Sequence, residues 1–528
     1  MWRLLLLVLL SSACVTARAE DYYCCKPSGT KGSGVSTTDI ASFGWADADC
    51  YPDPMTALAQ MSGGDQLWFY DGTYVETGSV YWLTVSGVSG SSGDPTIIKA
   101  LNAGAAVCST TTGGGVRILD TSYVQLEGLH FQEIDPDNAC VSVEGTSSHH
   151  VLVKRCSLAM DTMIATAGAN LVTFEDCYGY GGPMRYTFQT SLGGSTTQQI
   201  IFRRCLVRWD WSNVNDPQAC FANYSCTDVY YQNCIAIDCT DNKGYEMATF
   251  DGAKGFFNPN GGEGGYEGCI VMNGSGFGGF WFESSAANTV NNCLVWNLHY
   301  NAQDATDGYD PMSFVSSADT GALYVTNCTF GINDCVSCAD PGAGGGTMSP
   351  ISFDSDNVDE HIRNCIIYGM NLETGWYAYD GDADDEDYNL YYANDGGRNC
   401  NGGCGANDIT DHDPLSYGLA EPPYISPCSY LQTAGEGGGK IGATIRTRIG
   451  VDGTFYGETG WNADTGVRLW PFPYQDEIRA KCAAFYMAAE EAYSVAAGDD
   501  YDSPVMDGAR GFCAPGETLT SWILKGGE

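Results

Sequence analysis

"VYYQNCIAI", residues 229–237, is the stretch whose reading decides the fold, because altered copies of it recur along the chain. They read "VLVKRCSL" at Cys156, "VTFEDCYGY" at Cys177, "IIFRRCLV" at Cys205, "GGYEGCIVM" at Cys269, "TVNNCLVW" at Cys293, "LYVTNCTF" at Cys328 and "EHIRNCII" at Cys365. Intervals of 21 to 37 residues between successive cysteines lie in the range of solenoid repeats, with the variation in the links between copies. Three residues before each cysteine stands an apolar or aromatic side chain: Val153, Phe174, Phe202, Tyr231, Tyr266, Val290, Val325 or Ile362. Two residues before it stands a polar or charged one: Lys154, Glu175, Arg203, Gln232, Glu267, Asn291, Thr326 or Arg363. That is the two-residue period of a strand with one buried face. A turn-type residue, most often Asn, directly precedes the cysteine, and a short apolar strand follows. Strand, corner, strand and loop, without helical spacing, predict a parallel β-helix whose like residues stack in ladders.

The first 19 residues read as an export signal: Arg3, the apolar "LLLLVLL", then "ARA" before Glu20. Cys14, after "SSA", opens the alternative of an outer-surface lipoprotein. No later apolar run is long enough to span a membrane, so a secreted protein is expected. Sixty-five acidic residues against 24 basic ones give a net charge of -41, which excludes a nucleic-acid partner and repels anionic polymers unless cations intervene. Length alone suggests several domains, yet no linker-like stretch divides the chain, so one elongated repeat unit fits better.

The repeats, together with "GDQLWFYDGTYVE" (64–76), "TIIKALNAG" (96–104) and "SYVQLEGLHF" (122–131), resemble the right-handed parallel β-helix of the pectin-lyase-like superfamily. The resemblance implies an all-β solenoid over residues 66–430. "DPMTALAQM" (53–61) looks like the short helix that caps the amino-terminal end of such a solenoid, within a capping region 20–65. After residue 430 the rungs stop, and "LWPFPYQDEIRAKCAAFYMAAEEAYSVAAG" (469–498) and "ETLTSWIL" (517–524) turn helical. Residues 431–528 are read as a second cap, over the last open strand edge.

Fold does not settle function, because the superfamily holds lyases, hydrolases, esterases, epimerases and non-catalytic surface proteins. The ordered motifs of the polygalacturonase-type hydrolases are absent, since "NTD", "GHG" and "RIK" do not occur. A lyase acting on uronic acids needs a cation to neutralise the sugar carboxylate and a Lys or Arg as base. "DGAKGFF" (251–257) resembles the segment of calcium-dependent β-helix lyases that carries the catalytic lysine, which implies Lys254 as base with Asp251 beside it. Where those lyases carry a pair of acids followed by Gly-Trp, this chain reads "SGFGGFW" (275–281) and lacks the acids. Arg208, Trp209, Asp210 and Trp211 form a second candidate, a loop whose rings would stack on sugars and whose Arg and Asp would bind hydroxyls or a carboxylate. The alternative there is a tryptophan packed beneath the loop and Arg208 paired with Asp210. Asp380, Asp382, Asp384 and Asp387 present hard oxygens at near-alternate spacing and suit Ca2+ in a structural role, against a simple solvated acidic loop.

The eight repeat cysteines, in register at strand spacing, are expected to be buried thiols acting as small hydrophobes rather than disulfides. Loop staples are expected elsewhere: Cys50 with Cys24 or Cys25, Cys220 with Cys226 or Cys239, Cys335 with Cys338, Cys400 with Cys404, and Cys482 with Cys513. Asn223, Asn273 and Asn327 head glycosylation sequons, meaningful only in a eukaryotic source. Two functions follow: a non-catalytic surface or matrix protein that binds an extracellular polysaccharide, of adhesin or filament type, and a calcium-dependent polysaccharide lyase. Self-association is left open.

Overall fold

The computed structural model describes residues 22–25, 50–51, 53–76, 80–110, 113–132, 139–181, 185–191, 197–209, 218–239, 253–275, 277–283, 286–299, 314–316, 321–332, 334–335, 351–353, 359–372, 377–381, 385–395, 397–400, 404–496 and 510–527. One coil shows the plan. Strand Thr227–Gln232 lies in a first sheet, Ile235–Ile237 in a second and Ala253–Asn258 in a third, and Gly264–Glu267 returns to the first. Sheets 1, 2 and 3 hold 13, 14 and 12 strands among the described residues. Each strand of this coil pairs in parallel with its equivalents one coil before and one coil after. The chain is an all-β parallel β-helix.

The apolar residues three before each cysteine oppose one another from coil to coil and are all buried. Their aromatic members, Phe174, Phe202, Tyr231 and Tyr266, stack at 5.0, 5.1 and 4.8 Å between ring centres. Phe188, Phe221, Phe256 and Phe280 of sheet 3 form a parallel file at 5.2, 4.8 and 4.8 Å. The two files meet edge to face, an arrangement the ring quadrupole favours.

Each residue before a repeat cysteine takes the left-handed conformation, with φ between 51° and 64° from Arg155 to Asn364. That region is costly for most side chains and tolerable for Asn and Gly, which explains the corner composition. The bend aims the corner N–H at the next coil, as Asn233 N donates to Glu267 O at 2.9 Å. The cysteine after it turns inward, and its thiol donates to a carbonyl of the preceding coil: Cys234 to Phe202 at 3.2 Å, Cys269 to Tyr231 at 3.3 Å. All eight repeat cysteines are free, buried thiols, as expected.

At the amino-terminal end, helix α1 (Pro54–Leu58) is capped by Asp53, whose carboxylate accepts from the N–H groups of Met55 and Thr56. Strand Tyr22–Cys25 pairs with Gln66–Phe69, so sheet 1 starts one rung before residue 66. Beyond strand Arg398–Cys400 come helix α2 (Pro414–Tyr417), helix α3 (Gln475–Ala496) and helix α4 (Leu519–Lys525). This carboxy-terminal region runs back along the side of the solenoid. Its backbone N–H groups donate to the corner amides in turn: Glu436 to Asn364, Thr444 to Asn292, Ile449 to Asn233. Farther on, Lys481 of α3 donates to Gly104 O at 2.7 Å. The physical reason is the outer face of sheet 2, where Leu206, Ile235, Ile270, Leu294 and Ile366 form an apolar stripe. Ile441, Ile445, Leu469, Phe472, Ile478 and Phe512 of this arm cover it.

Candidate functional site

The residues singled out in the sequence fall mostly on covered surfaces. Lys254 stands on sheet 3 and is only 2 % exposed. Its Nζ lies 4.7 Å from the ring centre of Phe257 and 4.4 Å from that of Trp281. Two rungs earlier in the same column the hydroxyl of Tyr186 is 2.6 Å from both Gln218 Oε1 and the Tyr224 hydroxyl. A lysine buried between two aromatic faces has no open approach for a sugar C–H. Asp251 lies outside the described residues.

Arg208 corrects the sugar-loop expectation, because Leu206–Arg208 is a strand of sheet 2 lying under the arm. Its guanidinium is fully buried, donates to Cys513 Sγ at 2.5 Å and to Arg510 O at 3.2 Å, and faces the ring of Phe512. Trp209 is buried too, with Nε1 donating to Thr187 Oγ1 at 3.1 Å. The arm covers Arg208, whereas Trp209 turns into the solenoid core, and Asp210 and Trp211 lie outside the described residues.

Of the acidic set, Asp380 stands in a strand of sheet 3 and Asp387 in a strand of sheet 1, while Asp382 and Asp384 lie outside the described residues. The Asp387 carboxylate accepts from Asn407 N and Asn407 Nδ2, both at 2.8 Å. Burial pushes its pKa up, but these donors outweigh burial and hold it below the ordinary carboxylate value. Glu386, Cys400 and Cys404 come within ligand distance of one another, yet the two cysteines form a disulfide and offer no thiolate.

That Cys400–Cys404 bridge is as expected. Cys50 is also disulfide-bonded, and not to Cys25, which is a buried free thiol. Cys220, Cys226, Cys482 and Cys513 likewise carry thiols, not disulfides. Cys220 does lie against Cys239, one of its two expected partners, with the sulfurs 3.8 Å apart and not bonded. Strand Asp334–Cys335 is described, whereas Cys338 is not. Asn223 is buried with its amide donating to Cys226 O, so no glycan fits it on the folded chain. Asn273 and Asn327 spend their amide nitrogens on Asp238 and Asn291 in corner ladders.

The open surface lies on sheet 1. One outward column runs in register through Tyr230, Gly265, Thr289, Tyr324 and His361. At one end Trp461 and Tyr456 of the arm pack on Tyr230 at 4.7 and 5.6 Å between ring centres, and Tyr456 donates to Asp228. At the other end Tyr324, 39 % exposed, stacks on His361 at 4.6 Å and 7°. His361 is fixed from both sides by Asp359 and Asp385. Arg363, in the adjoining column, grips Asp385 and holds its pKa below the ordinary value. Gly265 and exposed Thr289 leave a low floor between the aromatic ends, which are three rungs, or about 14 Å, apart. Asp228, Glu263, Glu267 and Asn291 border this floor. Burial raises the Glu267 pKa to about 7.

Ring faces, carboxylates and amides over a shallow floor can stack on and hydrogen-bond to a sugar chain. Tyr230 and Tyr324 stand four residues before their cysteines, on the outward phase, where the eight repeats share no residue type that would mark them. Trp461 and Tyr456 gave no signal either, because they arrive from a segment more than 200 residues away in sequence.

No protein-family model matches the chain, and no curated protein matches it. Among solved structures it is similar to a rhamnogalacturonan lyase, at 12 % identity over 60 % of this chain and 83 % of that one, with a TM-score of 0.38. It is similar to a pectate lyase at 14 % identity, over 80 % and 94 % of the two chains, with a TM-score of 0.40. A mannuronan C-5 epimerase A-module from Azotobacter vinelandii gives 12 % identity, 68 % and 94 % coverage and a TM-score of 0.34. Likeness at this level carries no argument about activity, and the architecture rests on the strand pairing above.

Proposed function

We propose that this is an exported polysaccharide-binding protein that holds a glycan chain on the outer face of sheet 1 without cleaving it. The observation that carries the reading is the column whose two aromatic ends, Trp461–Tyr456–Tyr230 and Tyr324–His361, face solvent across the floor of Gly265 and Thr289. The net charge of -41 favours an uncharged chain as ligand. Against cleavage stands Lys254, the residue proposed as lyase base, which lies beneath two rings. Calcium at the loop between Asp380 and Asp387 would be structural in this reading.

The test is affinity electrophoresis on a panel of neutral and acidic polysaccharides, together with ultraviolet detection of unsaturated sugar products. Trp461→Ala and Tyr324→Ala should each weaken binding by roughly 2- to 12-fold, the effect of losing one stacking contact of about 0.5–1.5 kcal/mol. Retained affinity in both variants would sink the site. Unsaturated product that vanishes in Lys254→Ala would instead establish the lyase.

A further inference from the structure

We propose that His149 and His150 form a chelating site for a divalent transition ion, Cu(II) first and Ni(II) second, where strand His149–Lys154 enters sheet 1. Their Nδ1 atoms stand 2.8 Å apart. Adjacent residues of a strand send their side chains to opposite faces. His150 escapes that rule because its φ is 52°, in the left-handed region that His tolerates better than most residues. The bend brings both rings to one side of the chain.

The corner itself does not ask for histidine. Tyr123, Leu171, Gln199 and Asp228 take the place of His150 in neighbouring coils, each with φ between 50° and 61°. Asn170, Gln198 and Thr227 take that of His149. Yet two of the chain's six histidines meet in this one coil. Packing accounts for one ring of the two: His150 stacks on Tyr123 at 4.5 Å and 16°, and meets Phe455 of the arm edge to face at 5.2 Å. It does not account for a second imidazole whose nitrogen faces the first. A hydrogen bond between two partly exposed rings adds little, because water serves each of them as well.

Spacing selects the ion. With metal–imidazole bonds of about 2.0–2.1 Å, two ligands at a right angle hold their nitrogens about 2.9 Å apart, and two at the tetrahedral angle about 3.3–3.4 Å apart. The observed 2.8 Å matches the right angle of the square-planar and tetragonal ions, Cu(II) and Ni(II), rather than tetrahedral Zn(II). Ca2+ takes oxygen ligands and should not compete. Without metal, one Nδ1–H donates to the other Nδ1. On binding, that proton passes through water to Nε2 of its own ring, both neutral rings offer an Nδ1 lone pair, and no oxidation state changes. The ion lies beside the line that joins the nitrogens. Both rings are partly exposed, so they have room to turn toward it, and water completes the coordination. Glu458 adds favourable charge: its carboxylate accepts from Phe455 N at 2.8 Å, beside the ring that packs on His150.

The probe is Cu(II), titrated into the native full chain with excess Ca2+ to occupy exposed carboxylates, and followed by calorimetry and electron paramagnetic resonance. One ion is expected, with an axial signal and hyperfine coupling to imidazole nitrogen. His149→Asn should weaken it by more than about tenfold, since loss even of a supporting partner costs a metal site that much. His150→Phe, which keeps a ring on Tyr123, should do the same. His412→Ala, at a histidine beside Asp411, should leave the affinity unchanged. No bound copper, wild-type affinity in either variant of the pair, Zn(II) held more tightly than Cu(II), or a copper signal without imidazole nitrogen overturns the proposal. Should His150→Phe disturb the docking of the arm, His149→Asn and the wild-type copper spectrum decide.

Discussion

Replacing Arg203 by Met should undock the arm from sheet 1. Arg203 is fully buried and donates to Gln232 Oε1 at 2.8 Å, Glu175 Oε2 at 3.0 Å, Val451 O at 2.9 Å and Trp461 O at 2.9 Å. It therefore joins two outward side chains of the solenoid to the loop 451–461 that supplies Tyr456 and Trp461. Breaking a buried ion pair by removing one partner costs about 3–5 kcal/mol. Glu175 would keep Lys154 at 3.1 Å and Arg204 at 3.6 Å, so it is not left alone. The loop carbonyls regain water once the loop lifts. The low end, about 3 kcal/mol, is the expected loss. Urea unfolding measures it, hydrogen exchange locates it in residues 450–462, and glycan binding should fall with it. Arg203→Lys should lie between, since one ammonium cannot reproduce the guanidinium fork. A loss below about 1 kcal/mol, with those amides still protected, would refute the reasoning.

Stability should rise as pH falls from 7 toward 5. Burial first, then the carboxyl neighbour Glu386, raises Asp408 to about 7, and burial raises Glu267 to about 7, so the folded state holds protons the unfolded chain has shed. Buried His130, lowered to about 3, and half-buried His150, lowered by burial and by neighbouring His149, work in the opposite direction below pH 6.5, because the unfolded chain takes up their protons first. Two gains against one full and one partial loss leave a net below about 1.4 kcal/mol per pH unit, and a urea midpoint higher at pH 7 than at pH 5 would contradict it. Gly264→Ala should destabilise by about 1–3 kcal/mol, since its Cβ would sit 1.9 Å from Val229 O, whereas Gly265→Ala meets only side chains that can turn. Thiol titration of the native chain should find Cys428 reacting first and lose that phase in Cys428→Ser, while denaturation without reductant should release at least the eight repeat thiols. Finding none of the eight would mean they are cross-linked.

The fold was legible because stacking forces each coil to repeat the same physical demands. Val153 to Ile362 must be apolar, Asn233 and Asn292 must bear positive φ, and both demands leave marks at fixed distances from the cysteine. The outward phase carries no such demand, so its functional members stayed hidden among Thr289, Ile201 and Leu152. Arg208 and Trp209 were misread for a related reason. A strand buried on both faces looks like any other apolar strand, and only the arm, folding back from residues 510–513, shows that the outer face of Arg208 is closed. Lys254 fails likewise, because Phe257 and Trp281 are close in space through the stacking of two coils rather than through a motif.

The arm decides which rungs can work. Its loop 451–461 seals the outward charges of the rungs around Glu175 and Arg203, while the rungs from Gly265 to His361 keep their column open. The boundary between sealed and open rungs is Trp461, whose carbonyl accepts from Arg203 and whose ring packs on Tyr230. One residue thus ends the protected stretch and begins the aromatic wall of the proposed site. Stability of the arm and affinity for a glycan are therefore coupled through the same loop. Variants that loosen it from the sealed side should weaken binding in proportion to the population of the lifted loop, whereas Tyr324→Ala, four rungs from Arg203, should weaken binding with no effect on hydrogen exchange at 450–462.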